Sequence, residues 1–196
     1  MPVHESENEE LKRYNQLYLD IIMRYKDYIE ENENLSVAQL PTLVMPDDPA
    51  IVSFANTLKV KYTDYSFDKN FYEAAKQAHK YVNESIAKAV LPIEFWLKPS
   101  ETLAAKAGDT LDKATLLCSI LIALGNSTSK IIISTSDSTR QVGVYCEFNG
   151  KLLYFGIDGG FSEFSTKEEL LESLGIGNGK AEAAYEFNNH MYNDLA

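Results

Sequence analysis

The sequence predicts an α+β fold, and three observations carry that reading. Apolar residues recur at helical spacing along most of the chain up to Gly125. From Ile131 the texture changes to β-branched and aromatic runs. Asn149-Gly150 then separates two such runs, and both residues tolerate the positive φ of a tight hairpin. Helices first and an antiparallel sheet after them is the α+β order. With 196 residues, 45% of them hydrophobic, the chain can bury one large core, or a smaller core beside an appendage. No internal repeat is visible.

Residues 7 to 31 read as one amphipathic helix. Leu11, Tyr14, Tyr18, Ile21, Tyr25 and Tyr28 form its stripe, widened by Leu17, Ile22 and Ile29. Ser6 and Glu9 fit a capping box at its start. The stripe is broader than a coiled-coil seam, which favours packing on the rest of the chain. Self-association into a homo-oligomer through the tyrosines is the other use of such a face. Residues 32 to 48 read as a linker with Pro41 and Pro46. The expected division is therefore an extension over 1–48 and a domain over 49–196.

Asp48-Pro49 starts a helix that should end near Leu58. A second helix follows Asp68, with Phe71, Ala74, Ala75, Ala78, Val82, Ile86 and Ala89 on one face. Pro92 to Leu103 holds the single tryptophan, Trp96. Leu111 to Leu124 is apolar almost all round, which predicts a buried helix stopped by Gly125. Ile131 to Ile133, Val142 to Phe148 and Lys151 to Ile157 read as strands. Ser165 and Glu168 cap a further helix ending near Gly175, and a last helix is expected from about Lys180.

Composition excludes several functions. Acidic residues number 29 against 18 basic, a net charge of −11, with the acid concentrated towards the two ends. Phosphate backbones need clustered Lys and Arg, so a nucleic-acid partner is not expected. Neither a spanning apolar run nor a basic amphipathic helix is present, so no membrane partner is expected. The acidic start is unlike a signal peptide, and the expectation is a cytoplasmic protein. Cys118 and Cys146 stand far apart, and His4, His79 and His190 are scattered. No disulfide framework, metal site or cofactor is called.

Glu101-Thr102-Leu103, followed by Gly108-Asp109-Thr110-Leu111-Asp112-Lys113-Ala114-Thr115-Leu116-Leu117 and Ile120 to Gly125, resembles the core of the transglutaminase-like superfamily. Members show a Thr-Leu pair, then Gly-Asp-Cys opening a leucine-rich helix. The likeness covers roughly residues 70 to 160. It implies a papain/transglutaminase-like α+β fold, with a buried central helix packed on an antiparallel sheet. It also implies a Cys-His-Asp triad, the cysteine at the helix start where dipole and free N–H groups lower its pKa.

The chain departs from that pattern. Thr110 stands where the nucleophile would be. Counting back from Asn149-Gly150, Gln141 stands where the histidine would be, and Asp158 keeps the acid. A protonated hydroxyl without a base does not attack an acyl carbon. Neither remaining cysteine substitutes, since Cys118 and Cys146 read as core. The leading expectation is a non-catalytic domain that binds or scaffolds a protein or peptide. Trp96 is a candidate cover for the old groove. Asp109 and Asp112 are candidates for a polar pocket, or simply helix caps. A hydrolase or peptidase with a non-standard site, and a structural protein assembling through its first helix, are the competing classes. Gly175 to Gly179 lacks the strand–turn–helix context of a phosphate loop and reads as a connector.

Overall fold

A computed structural model describes residues 3–33, 37–90, 93, 95–136, 139–176 and 181–195. Two compact units make up the chain, Met1–Asn34 with Leu91–Trp96, and Leu35–Val90 with Leu97–Ala196. The first contains helices α1 (Val3–Arg24) and α2 (Lys26–Glu33). They meet at Tyr25, whose N–H bonds the carbonyls of Ile21 and Ile22 at 3.3 and 3.1 Å. The single helix expected over 7 to 31 thus begins earlier and is divided. Ser6 and Glu9 lie inside α1 rather than capping it.

The second unit opens with a short 3-10 helix, Val37–Leu43, inside the expected linker. Helix α3 (Pro49–Lys59) starts where Asp48-Pro49 predicts, and the Asp48 carboxylate accepts the Ala50 N–H at 2.8 Å. Helix α4 (Phe67–Ser85) buries Phe71, Ala74, Ala75, Ala78 and Val82. Strand β1 (Ala87–Lys88) pairs in parallel with β2 (Ala107–Gly108), with helix α5 (Pro99–Ala105) between them. Helix α6 (Thr110–Ala123) follows. It is buried from Leu111 through Leu121, as an all-round apolar surface requires.

Strands β3 (Lys130–Ser136), β4 (Thr139–Phe148), β5 (Lys151–Gly156) and β6 (Phe161–Phe164) come next, then helix α7 (Lys167–Ser173) and strands β7 (Ala183–Phe187) and β8 (Tyr192–Asp194). They form one six-stranded sheet in the order β6-β5-β4-β3-β7-β8, with antiparallel neighbours throughout. Asn149 (φ 50°) and Gly150 (φ 75°) make the β4–β5 turn. Among the described residues the architecture is therefore α+β, with a buried helix on an antiparallel sheet.

The sheet has two faces, set by the period-two pleat. Tyr145, Ile132, Leu152 and Ala184 pack with Leu170, Leu174 and Ile176 on the α7 side. Ile131, Ile133, Val142, Val144, Cys146 and Phe187 are buried on the opposite side, which α6 covers. Each large side chain taken fully from water there contributes roughly 1.5–3 kcal/mol.

The tail departs from expectation. The last helix predicted from Lys180 is instead two strands, β7 and β8. Without β7, one whole edge of β3 would present unpaired backbone groups. Residues 183–187 complete that ladder, and their alternation places Ala184 and Glu186 on the α7 side and Tyr185 and Phe187 on the other. Tertiary pairing overrides a weak helical period. The α7 cap also shifts by one residue, since Thr166 rather than Ser165 accepts the Glu169 N–H. The connector centred on Gly177 to Gly179 lies outside the described residues.

Candidate functional site

Thr110 is the first residue of α6. Asp109 and Asp112 set its position through a reciprocal cap. The Asp109 carboxylate accepts the Asp112 N–H at 2.7 Å, and the Asp112 carboxylate accepts the Asp109 N–H at 2.8 Å and the Leu97 N–H at 2.9 Å. Burial raises Asp112 to about 6, since the charged form loses solvation. Asp112 thus has both oxygens on backbone donors, and Asp109 has one of its oxygens on one. Among the described residues no three metal-ligating groups cluster.

Thr110, Gln141 and Asp158 all border one open cavity of about 400 Å³, which Lys88, Arg140 and Tyr154 also line. The helix start and the open end of the β4–β5 ladder therefore meet. Trp96 belongs to the other unit.

Asp158 sits just beyond β5 with φ 59°, a left-handed conformation that Asp tolerates. One oxygen takes the Lys113 ammonium at 2.7 Å and the other takes Lys88 at 2.9 Å. These partners hold Asp158 below the ordinary carboxylate range, against a desolvation that alone would raise it. Lys113, on α6 one turn after Thr110, is only 2% exposed, so its charge is buried beside its partner.

His79 of α4 supports the same turn from below. Its Nε2 lies 2.9 Å from the Gly156 carbonyl, and its ring packs on Phe155 at 5.4 Å. Asn83 reaches the carbonyls of Gly156 and Gly159. Desolvation lowers the His79 pKa, so the ring is neutral at pH 7. Its contacts are those of an anchor for the Gly156 to Gly160 turn.

Pleat parity separates two neighbours on β4. The ladder from Lys130↔Tyr145 to Ser136↔Thr139 is unbroken. Arg140 therefore shares the α6 side with Val142, Val144 and Cys146, while Gln141 shares the α7 side with Gly143 and Tyr145. Arg140 Nη2 approaches the Tyr185 hydroxyl, on that same α6 side, at 3.5 Å. Counting from the turn thus selects Gln141, but the side chain on the face of Thr110's helix is Arg140. The signal was available, because the strand pattern already puts Val142, Val144 and Cys146 on one face, and one more step of two reaches Arg140. Lys113 also carried a signal, being a lone ammonium in an apolar helix that must find a carboxylate.

Gly143 lets Tyr154 lie flat over β4. A Cβ at Gly143 would run into the Tyr154 ring, so the ring's place on the cavity wall depends on the glycine. Cys118 and Cys146 are buried thiols, and burial raises both, Cys146 to about 12. Neither lines the cavity.

No protein-family model matches the sequence, and no curated protein matches it. Among solved structures, the chain is similar to a protein from Parabacteroides distasonis, provisionally assigned as a protease, with 19% identity and a TM-score of 0.46. That likeness covers 66% of this chain and 31% of the other, so the chain spans less than a third of that protein's length. It is also similar to calcium-bound LapG from Legionella pneumophila, with 15% identity, a TM-score of 0.43 and coverage of 74% and 87%. No helix among the described residues is long and apolar enough to cross a membrane.

Proposed function

We propose that this chain is a non-catalytic member of the transglutaminase-like superfamily, and that its cavity holds a segment of a protein or peptide. The observation that carries this reading is the state of Asp158. In a triad the acid accepts a hydrogen bond from a histidine and orients it. Here both Asp158 oxygens are on ammonium groups, Lys113 and Lys88. No histidine lines the cavity among the described residues, and His79 faces the Gly156 carbonyl. An ammonium held by a carboxylate has no lone pair with which to take the Thr110 proton. That the helix start, the strand end and the acid border one cavity supports the family reading, and no histidine–nucleophile pair stands there among the described residues. A cavity of this size, lined by polar and apolar groups, suits a few residues of an extended chain.

The test is a turnover assay on the wild-type chain and Thr110→Ala, using a mixed peptide library and an activated ester. No cleavage above background is expected from either. Turnover by the wild type that disappears in Thr110→Ala would sink the reading and establish a hydrolase. Rapid labelling of Cys118 or Cys146 by a thiol probe at neutral pH would also count against it, because both thiols are buried and raised.

A further inference from the structure

Resting on the binding-module reading, we infer that the cavity takes the side-chain carboxylate of an acidic peptide segment, held by Arg140 with Lys88 beside it. Charge is the first support. The chain as a whole carries −11, yet the ionic groups on this wall are Lys88, Arg140 and Asp158. Asp158 is already matched from behind by the buried Lys113. The wall therefore presents positive charge on an acidic protein.

Arg140 is the second support. It is exposed, and no carboxylate pairs with it among the described residues. Among the described residues its one hydrogen-bonding contact is the long approach to Tyr185. A guanidinium offers a planar fork matched to the two oxygens of a carboxylate. Lys88 spends one donor on Asp158, and its side chain is 55% exposed, leaving N–H donors for a ligand. The hydroxyls of Thr110 and Ser162 also line the cavity, and neither has a partner among the described residues. They add neutral donors beside the cations.

The remaining surface selects the source of the carboxylate. A long polyanion would meet repulsion from the acidic chain over many contacts. A short segment needs only the local cations, and at about 0.15 M salt charges beyond ~8 Å are largely screened.

The experiment titrates the full 15N-labelled chain, in about 0.15 M salt, with acetylated and amidated hexaglutamate or with its hexaglutamine counterpart. Hexaglutamate should shift the amide signals of Thr110, Arg140 and Gly156 to Gly160, and bind at least about tenfold tighter than hexaglutamine. Arg140→Gln should weaken it by about tenfold or more, and Arg140→Lys should restore part of the loss. Equal binding of the two peptides, no shift at millimolar peptide, or binding indifferent to Arg140→Gln would overturn the inference. Acetate or inorganic phosphate matching hexaglutamate in affinity would assign the site to small free oxyanions instead, and would overturn the peptide source. Cleavage of either peptide, followed by mass spectrometry, would defeat the non-catalytic reading while leaving the charge preference intact. The two failures are therefore distinguishable.

Discussion

Two carboxylates in this sheet are each held by two lysines, yet the two sites are built in opposite ways. Asp158 keeps 31% of its side chain exposed beside the open cavity, and its buried partner is Lys113. Glu186, on the α7 side, is itself fully buried, and its partners Lys130 and Lys167 keep 23% and 38% exposure. The Tyr145 hydroxyl and the Asn193 amide complete its shell. The same ion set thus serves two ends. Around Glu186 every oxygen is enclosed by donors, which ties β7, β3, β4 and the start of α7 together. Around Asp158 the buried charge is positive and the open side faces a cavity, so potential is left over for a ligand. A carboxylate closed by its partners is structural, whereas one backed by an enclosed ammonium leaves a wall that attracts anions.

The largest way to break this contrast is Glu186→Ala. It strands two ammonium stems and a tyrosine hydroxyl around a void, and breaking a buried pair costs about 3–5 kcal/mol. Chemical denaturation should show that loss, with the cavity-wall signals unmoved in surviving folded protein. Lys113→Met comes next. The thioether fills the stem's space, and Lys88 still faces Asp158, so we expect a loss of about 1–3 kcal/mol or less. A loss as large as that of Glu186→Ala would erase the distinction between the sites.

Acid titration sharpens it further. Asp158 and Glu186 are both lowered in the folded state. Their contributions are present above the unfolded values, 3.8 and 4.5, and fade as pH falls through the folded ones. Asp112 has the opposite sign. Raised from 3.8 to about 6, it favours the fold most below 3.8 and loses that contribution as pH rises towards 6. Comparing unfolding free energies across pH 4 to 7, the wild type should lose on the order of 1–3 kcal/mol relative to Asp112→Asn. A flat difference would show that Asp112 does not titrate in that window. The smallest effect is Lys88→Met. An exposed ion pair is worth about 0–1 kcal/mol, so melting should barely change while hexaglutamate binding weakens.

The helical half was legible because each of its signals is local. Asp48-Pro49, the apolar face of α4 and the all-round apolar run of α6 each act within one element, and the structure keeps all three, except that α4 ends at Ser85, so Ile86 and Ala89 fall outside it where the chain turns into β1. The Asn149-Gly150 hairpin was legible for the same reason, since two adjacent residues carry its geometry. The tail was not. Residues 183–187 pair with β3, about fifty residues earlier, and no local pattern reports that an edge there needs covering.

The candidate site divides along the same line. A helix start at Thr110 was legible in the sequence, with Asp109 and Asp112 three residues apart as caps or as a polar pocket, and the structure makes them a reciprocal cap. The sequence by itself also determined that Cys118 and Cys146 face inward, because periodicity sets which side of an element is apolar. The place of Arg140 on the α6 face follows from strand parity, whereas tertiary packing alone set the convergence of Lys113 and Lys88 on Asp158 and made His79 the anchor of the turn carrying that acid. Those contacts join residues 45 to 77 positions apart. Coulomb attraction and hydrogen bonding act across space rather than along the chain, so the partners are set by how α4, α6 and the sheet pack.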